Sequence, residues 1–192
     1  MLILHLTWSK HLKLLSALAA ASIGLAATFG MSAAKAESRP DIVVAVPDLP
    51  PTLEPAKELS NIGTRITYDI FDTVIRRDFL SAEDGSGAEL TPALAESWAW
   101  TDPRTLVLDL RAGVKFHNGE TLTAEDVAFT FSAERLSGPE SIMANGRGYF
   151  GNIESVDATG PLQVTFSLKV ADPIFEQRLA SWTAWVGNKK DW

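Results

Sequence analysis

Residues 105–130 read TLVLDLRAGVKFHNGETLTAEDVAFT, and the first part of this stretch predicts a β-strand. Leucine occupies every second position from 106 to 110, which is the alternation of a strand with one buried face. The residues before it alternate in the same way, and Asp102-Pro103-Arg104 is a turn sequence between the two runs. We therefore predict a β-hairpin over Ser97–Arg111.

The second part of the same stretch predicts a tight turn followed by a helix. We expect Val114–His117 to extend the sheet, because Asn118-Gly119 is a strong tight-turn dipeptide. Thr123 precedes Asp126 by three residues, a variant of the capping box that begins helices. A helix is therefore predicted over Ala124–Leu136.

Upstream of this stretch, apolar and proline patterns predict four further segments. A short β-branched run is typical of a buried strand, and closely spaced prolines forbid both a helix and a central strand. Apolar residues at three- and four-residue steps indicate a helix with one buried face. These segments are a strand over Asp41–Val46, a stiff loop over Pro47–Pro55, a helix over Ile62–Arg77 capped by Ser60 or Asn61, and a short helical turn opened by Thr91-Pro92.

Downstream, the pattern predicts a glycine-bearing loop, a second hairpin and a last helix. We expect the loop over Ser141–Gly151, the hairpin over Ile153–Ala158 and Leu162–Val170, and the helix after Asp172-Pro173. Three tryptophans follow in the last eleven residues, and we expect them to lack cover because large aromatic side chains seek burial and nothing comes after them. They are Trp182, Trp185 and Trp192.

The first 36 residues have the order of a secretory signal peptide. Lys10 and Lys13 precede an uncharged run rich in Leu and Ala, and Ala34-Lys35-Ala36 places small residues before a cut. A membrane anchor that stays in place is the alternative, although the run is near the short end for a span. We expect cleavage after Ala36, by the general secretion route, and a periplasmic protein.

Composition excludes several classes of function. The chain has 192 residues and no cysteine, which excludes disulfides, thiolate metal sites and a cysteine nucleophile. Its formal net charge is −7, so nucleic acid is not an expected partner, because phosphate binding needs a basic surface. His117 is the single histidine beyond the signal peptide, and we expect it to fix the adjacent turn by a hydrogen bond. No metal site or cofactor is expected.

Two aromatic groups allow a binding role and a structural one. Trp98 and Trp100 lie two residues apart on a predicted strand, and we expect them to pack on the core together, a ligand-stacking surface being the alternative. The loop carrying Met143, Tyr149 and Phe150 leaves both roles open, because glycine-rich loops with aromatic residues often face ligands.

Three successive motifs resemble the family 5 extracellular solute-binding proteins of ABC importers. LTPALAESW at 90–98 resembles the family's x-P-x-L-A-E-S-W element. TLVLDLRAGVKFHNG at 105–119 resembles T-x-x-F-x-L-R-x-G-V-K-F-H-D-G, and TLTAEDVAFT at 121–130 is similar to P-F-T-A-E-D-V-x-F-S. The departures are mild, since Asn-Gly serves a tight turn as well as Asp-Gly. Upstream, Leu53-Glu54-Pro55 matches L-D-P.

This resemblance implies a mixed α/β fold: the N-terminal part of a lobe of a class II periplasmic binding protein, with an inserted subdomain of antiparallel hairpins and helices. By this analogy residues 37–59 begin lobe I, 60–170 form the inserted subdomain, and 171–192 return to lobe I. Members of the family are more than twice as long. The resemblance therefore implies an N-terminal fragment or a truncated product.

The resemblance also implies a function and a few site residues. The chain is expected to be a monomer and not an enzyme, to bind a peptide or related small solute, and to deliver it to ABC transporter permease subunits. Nickel is the other solute in the family, and peptide is the commoner one. The loop after L-D-P reaches the cleft in the family, as can the loop after the T-A-E-D-V helix. The ligand-binding residues expected here are Leu59, Ser60, Asn61, Met143 and Tyr149.

Two other functional hypotheses remain open on the sequence alone. A secreted hydrolase could use a pair of carboxylates that meet in space, as glycosidases do. Alternatively, the chain could be non-functional because its core is incomplete.

Overall fold

The computed structural model of the chain describes Val43, Ala45 and residues 48–58, 60–81, 83, 85–142 and 146–192. The predicted signal peptide lies outside these residues, as does most of the predicted strand over Asp41–Val46. Residues from Ala45 onward form one unit, which is described here by itself. Its elements are α1 (Asn61–Ile70), β1 (Ile75–Arg77), β2 (Leu90–Pro92), β3 (Ala95–Asp102), β4 (Thr105–Leu110), α2 (Ala124–Thr130), a π-helical turn (Ala133–Ser137), α3 (Gly146–Phe150), β5 (Ile153–Gly160), β6 (Gln163–Leu168), α4 (Phe175–Leu179) and a 3₁₀ turn (Lys189–Asp191).

The centre of the fold is an antiparallel sheet with the strand order β3-β4-β6-β5. β3 and β4 form the first hairpin, and β5 and β6 form the second. Both hairpins were predicted, and both are confirmed with ends shifted by a few residues. β4 and β6 pair in the middle, so the two hairpins become one sheet. The mixed α/β fold with antiparallel hairpins is therefore confirmed.

The core lies on one face of this sheet. Leu106 pairs with Phe166 and Leu108 pairs with Val164 across the central strands, and all four side chains are fully buried. Adjacent cross-strand pairs of this kind are the unit that stabilises a sheet. The ring of Phe131 packs edge-on against Phe166 at 5.2 Å, which attaches the end of α2 to the sheet.

Trp98 and Trp100 share a face of β3 and are half-buried against the core, as predicted. The ring of Trp100 packs edge-on against Phe175 at 6.2 Å. Its Nε1 donates a hydrogen bond to Oε1 of Glu176 at 2.6 Å. Trp100 therefore attaches α4 to the sheet.

The predicted helix over Ile62–Arg77 is wrong in its second half. α1 ends at Ile70, and Phe71 is extended. The following residues Thr73, Val74 and Ile75 are β-branched, which favours a strand. The backbone oxygens of Thr73 and Val74 accept from the N–H groups of Leu94 and Ala95, at 3.2 and 2.9 Å.

The helical turn predicted at Thr91-Pro92 is also wrong. Leu90–Pro92 is β2, which pairs antiparallel with β1 and places Thr91 opposite Arg76. Proline is tolerated there because the pair is two-stranded, so β2 has a free edge.

Val114–His117 does not extend the sheet. This segment folds on itself: Leu122 N donates to Val114 O at 2.9 Å, and Phe116 N donates to Glu120 O at 2.8 Å. The tight turn between them is confirmed, and Gly119 has the positive φ of 88° that such a turn requires. Oδ1 of Asn118 accepts from the N–H of Glu120 at 2.9 Å, whereas no hydrogen bond of His117 is found among the described residues. The turn-fixing role expected of His117 falls to Asn118.

The predicted helix over Ala124–Leu136 ends early, at Thr130. The hydroxyl of Ser132 accepts from the N–H of Arg135 and begins a separate π-helical turn. Gly138, which is extended, ends that turn, and a side chain does not fit there because a Cβ would lie 2.3 Å from the carbonyl oxygen of Ala133.

Two expectations for the last third are corrected. The loop predicted over Ser141–Gly151 contains the five-residue helix α3. Trp185 was expected to lack cover but is 4% exposed, because Tyr68 packs edge-on against it at 4.6 Å. The predicted last helix is confirmed as α4.

Candidate functional site

The N-terminus of α1 carries two of the residues predicted to bind ligand. Ser60 is the N-cap, and its hydroxyl accepts from the N–H of Gly63 at 2.9 Å. Its own N–H donates to Oε1 of Glu58 at 2.7 Å. Ser60 and Asn61 are both exposed, and Leu59 lies outside the described residues. The side chain of Ser60 is thus engaged in capping, while Asn61 faces solvent.

Gly63 and the buried Glu58 fix the position of this helix end. Glu58 is 3% exposed, and its side chain lies directly beside the Cα of Gly63. A Cβ at position 63 would be 2.1 Å from Cγ of Glu58, which no real contact permits. Residue 63 must therefore be glycine for the carboxylate of Glu58 to reach Ser60.

Tyr149 belongs to a different helix, α3. It is half-buried in α3, and its ring contacts Trp182 edge-on at 6.0 Å and Phe150 at 6.4 Å. Met143 lies outside the described residues. Within the described part of the chain, no hydrogen bond or ring contact joins Tyr149 to Ser60 or Asn61. The described candidates therefore lie on two different elements, at the start of α1 and in α3.

A cavity of about 490 Å³, here called the Arg135 cavity, lies elsewhere. The sequence reasoning missed it, because its walls come from segments far apart in the chain. None of the described candidates Ser60, Asn61 and Tyr149 lines it. Its lining residues are Leu53, Glu54, Pro55, Ile70, Phe71, Asp72, Leu94, Val114, Lys115, Phe116, His117, Asn118, Leu122, Arg135, Val186, Gly187, Asn188, Asp191 and Trp192.

Two charged groups of this cavity, Arg135 and Glu54, pair with each other. Arg135 is 2% exposed, and its Nη2 lies 2.9 Å from Oε1 of Glu54. Burial lowers the pKa of Arg135, and the nearby Glu54 carboxylate opposes that shift. The guanidinium also lies over the ring of Trp192, 5.5 Å from its centroid. The donors of Arg135 are therefore engaged inside the fold rather than offered to an occupant.

A second cavity of about 480 Å³, here called the Trp185 cavity, lies beside the end of α1. Its walls combine aromatic rings with two arginines. The sequence offers no local signal for it, because Tyr68 and Trp185 come from segments far apart in the chain. Its lining residues are Tyr68, Asp69, Phe71, Thr73, Arg76, Arg77, Asp78, Phe79, Leu80, Thr91, Ala180 and Trp185.

The described residues contain neither a cluster of metal-ligating side chains nor a membrane-spanning helix. No group of three or more metal-ligating side chains converges among them. None of their helices has the length and hydropathy needed to cross a bilayer.

Residues 89–192 match the family described as bacterial extracellular solute-binding proteins, family 5 Middle. This match covers more than half of the chain and includes the four-stranded sheet, α2 and Trp185. The chain belongs to this family of solute-binding proteins.

Two curated relatives are also named as binding proteins. A putative binding protein of Haemophilus influenzae is 37% identical over 94 residues, which is 49% of this chain and 16% of that protein. Di/tripeptide-binding protein 3 of Pseudomonas aeruginosa is 31% identical over 132 residues, 61% of this chain and 25% of that protein. The chain thus spans a quarter or less of the length of these relatives.

The solved structures share the fold. The dipeptide-binding protein of Pseudoalteromonas sp. SM9913, in complex with Met-Leu, matches with a TM-score of 0.61 at 23% identity, over 74% of this chain and 30% of that one. The expected likeness to part of a periplasmic binding protein is confirmed. The relatives are named as binding proteins rather than enzymes.

Proposed function

We propose that this chain belongs to the solute-binding component of an ABC importer, which binds peptides and delivers them to membrane permease subunits. The match of residues 89–192 to the family 5 model carries the proposal. The peptide-binding names of relatives such as di/tripeptide-binding protein 3 favour peptide over nickel as the solute. No enzymatic activity is proposed.

The solute-contacting residues of this proposal are those expected from the sequence. Asn61 is exposed at the N-terminus of a rigidly positioned helix, and Ser60 and Leu59 adjoin it. Tyr149 and Met143 are the other two proposed solute-contacting residues. The domain boundaries at 37–59, 60–170 and 171–192 are part of the same proposal.

The expected affinity of this chain alone is low. A solute trapped between two lobes is held by lobe closure, because closure adds contacts that favour the closed state. A chain that spans a quarter or less of its relatives supplies few of those contacts. We expect dissociation constants of about 1 mM or weaker, some 4 kcal/mol of binding free energy.

NMR titration tests the proposal at these affinities. The chain, purified from the periplasm of expressing cells, is titrated with di- and tripeptides and, as a control, with a disaccharide of similar size. Saturable chemical-shift changes with the peptides alone support peptide binding. No saturable change with any peptide, or equal changes with the disaccharide, would contradict it.

Periplasmic export has a separate test. Cleavage after Ala36 leaves Glu37 as the first residue, which the intact mass of the purified protein reports. A mass that retains residues 1–36 would favour the membrane-anchor alternative.

A further inference from the structure

The Trp185 cavity has an exposed aromatic and apolar rim. Tyr68 is 51% exposed, Phe79 is 52% exposed and Leu80 is 96% exposed. All three line the cavity, whereas Trp185 beneath them is 4% exposed. A depression with an aromatic floor and an apolar rim suits a solute that carries an apolar side chain.

The two arginines of the cavity differ in their partners. Nε of Arg76 lies 2.8 Å from Oδ1 of Asp72, so the charge of Arg76 is paired. Nη1 of Arg77 donates to the carbonyl oxygen of Gly87 at 3.2 Å, which is a neutral acceptor. Among the described residues, no carboxylate lies within ion-pair distance of Arg77. Arg77 therefore brings to the cavity a guanidinium that has no ion-pair partner among the described residues.

The hydroxyl of Tyr68 lies in the field of this guanidinium. Burial raises the pKa of Tyr68, and the positive charge of Arg77 opposes that shift. A phenol and a guanidinium that both line one cavity present several donors to a single acceptor. A carboxylate is the acceptor whose geometry matches an arginine best, because it accepts two parallel hydrogen bonds.

The two acids on the cavity wall, Asp69 and Asp78, form no ion pair with Arg77. Oδ1 of Asp78 already accepts from the N–H groups of Leu80 and Ser81, at 2.9 and 3.0 Å. A hydrogen bond from the side chain of Ser81, together with the backbone bonds from Ser81 and Leu80, holds the pKa of Asp78 below its usual range. Asp69 is exposed in the last turn of α1.

Trp185 supplies the floor and carries an unmet donor. Its Nε1 is buried and has no acceptor among the described residues. A buried donor without a partner is unfavourable and points to an occupant or a rearrangement that supplies an acceptor. Since Nε1 is sealed from solvent, an acceptor reaches it only after the ring shifts.

We propose that the Trp185 cavity binds the free carboxylate of a peptide or amino-acid solute, with the Arg77 guanidinium and the Tyr68 hydroxyl donating to it over the Trp185 ring. This inference rests on the proposed function for its solute class. It adds a recognition group to that solute, at a place in the fold distinct from Asn61 and Tyr149.

The test compares Met-Leu with its C-terminal amide by NMR titration of the whole chain. We expect Met-Leu to bind about tenfold more tightly than the amide, the usual effect of one charge-assisted hydrogen-bonded pair. The net charge of −7 makes this preference diagnostic, because non-specific attraction to an acidic chain would favour the more positive amide. Equal affinities would overturn the inference and leave peptide binding intact.

Variants locate the carboxylate. Arg77→Gln keeps a donor for Gly87 and removes the charge, so it should abolish the preference for Met-Leu over its amide. Tyr68→Phe keeps the ring against Trp185 and should reduce the preference in part. Arg65→Gln, on an exposed residue of α1 that does not line the cavity, is the matched control and should leave the preference unchanged. A preference that survives Arg77→Gln contradicts the inference.

A second titration separates this inference from the proposed function. Acetate is added to the chain while the indole N–H signal of Trp185, assigned with Trp185→Phe, is followed. A saturable shift that Arg77→Gln removes supports the carboxylate site even if no peptide binds. An unmoved Trp185 signal together with no peptide binding overturns both, and an unmoved signal with peptide binding overturns the carboxylate site alone.

Discussion

The backbone N–H of Lys189 donates to Oδ1 of Asp126 at 2.9 Å, which fastens the C-terminal 3₁₀ turn to the first turn of α2. The other oxygen of the same carboxylate accepts from the N–H and the hydroxyl of Thr123, at 2.9 and 2.7 Å. Asp126 is 6% exposed, so it caps a helix and binds a distant segment from inside the fold. One buried side chain therefore couples the capping box to the wall of the Arg135 cavity.

Asp126→Asn should destabilise the chain by about 1–3 kcal/mol, the cost of leaving buried polar groups unpaired. The amide keeps the size of the side chain but has one acceptor oxygen instead of two, so either Thr123 or Lys189 loses its acceptor. Urea denaturation measures the change. Glu125→Gln is the matched control, because Glu125 is exposed in the same turn and its ion pair with Lys189 lies at the surface. Equal loss in both variants would contradict the assignment.

Gly63→Ala should destabilise the chain by about 1–3 kcal/mol, although alanine is the better helix former. The new methyl group would overlap the side chain of Glu58, which must move away from Ser60. Gly148→Ala in α3 is the control, since a Cβ there meets nothing within 4 Å, and it should be neutral or slightly stabilising. The double variant Gly63→Ala with Glu58→Ala tests the cause: if the clash is with Glu58, the second substitution relieves part of the first.

Sequence patterns predicted the strands of the sheet better than the end of the first helix. Alternation identified both hairpins, because Leu106, Leu108 and Leu110 must face one core. The helical period could not locate the end of α1, since Val74 and Ile75 suit a helix face as well as a strand. These residues lie outside the helix because the N–H groups of Leu94 and Ala95 donate to the backbone oxygens of Thr73 and Val74.

The candidate sites were harder to predict for the same reason. Ser60 could be predicted as a cap from its position before an apolar period. The Trp185 cavity could not, because Tyr68 and Trp185 are brought together only by the packing of α1 against the segment after α4. A local pattern carries no information about such distant pairs.

The ion pair of Glu54 and Arg135 should stabilise the chain only as a pair. Glu54→Gln leaves the buried guanidinium without a carboxylate and should cost about 3 kcal/mol, as breaking buried pairs does. The double variant Glu54→Gln with Arg135→Met removes the buried charge as well and should recover most of that loss. Thermal unfolding of the two single variants and the double variant measures the coupling. Additive losses would show that the two side chains act independently.

The ion pair of Glu120 and Lys190 predicts how the attachment of the C-terminal turn depends on pH. Hydrogen bonds from Lys190 and Asn188 hold the pKa of Glu120 below its ordinary 4.5, and the hydrogen bond to Glu120 raises the pKa of Lys190 above its ordinary 10.5. A lowered carboxyl pKa contributes stability above the unfolded value that is lost as the pH falls through the folded one. A raised amine pKa contributes stability below the unfolded value that is lost as the pH rises through the folded one.

The difference in stability between the wild type and Glu120→Gln should therefore be constant between about pH 6 and 9 and vanish both in acid below 4.5 and in base above 10.5. Urea denaturation of both proteins across this pH range measures the difference in stability. Glu140→Gln, on another exposed glutamate, is the control. A difference that persists at pH 3 would show that Glu120 acts through packing rather than charge.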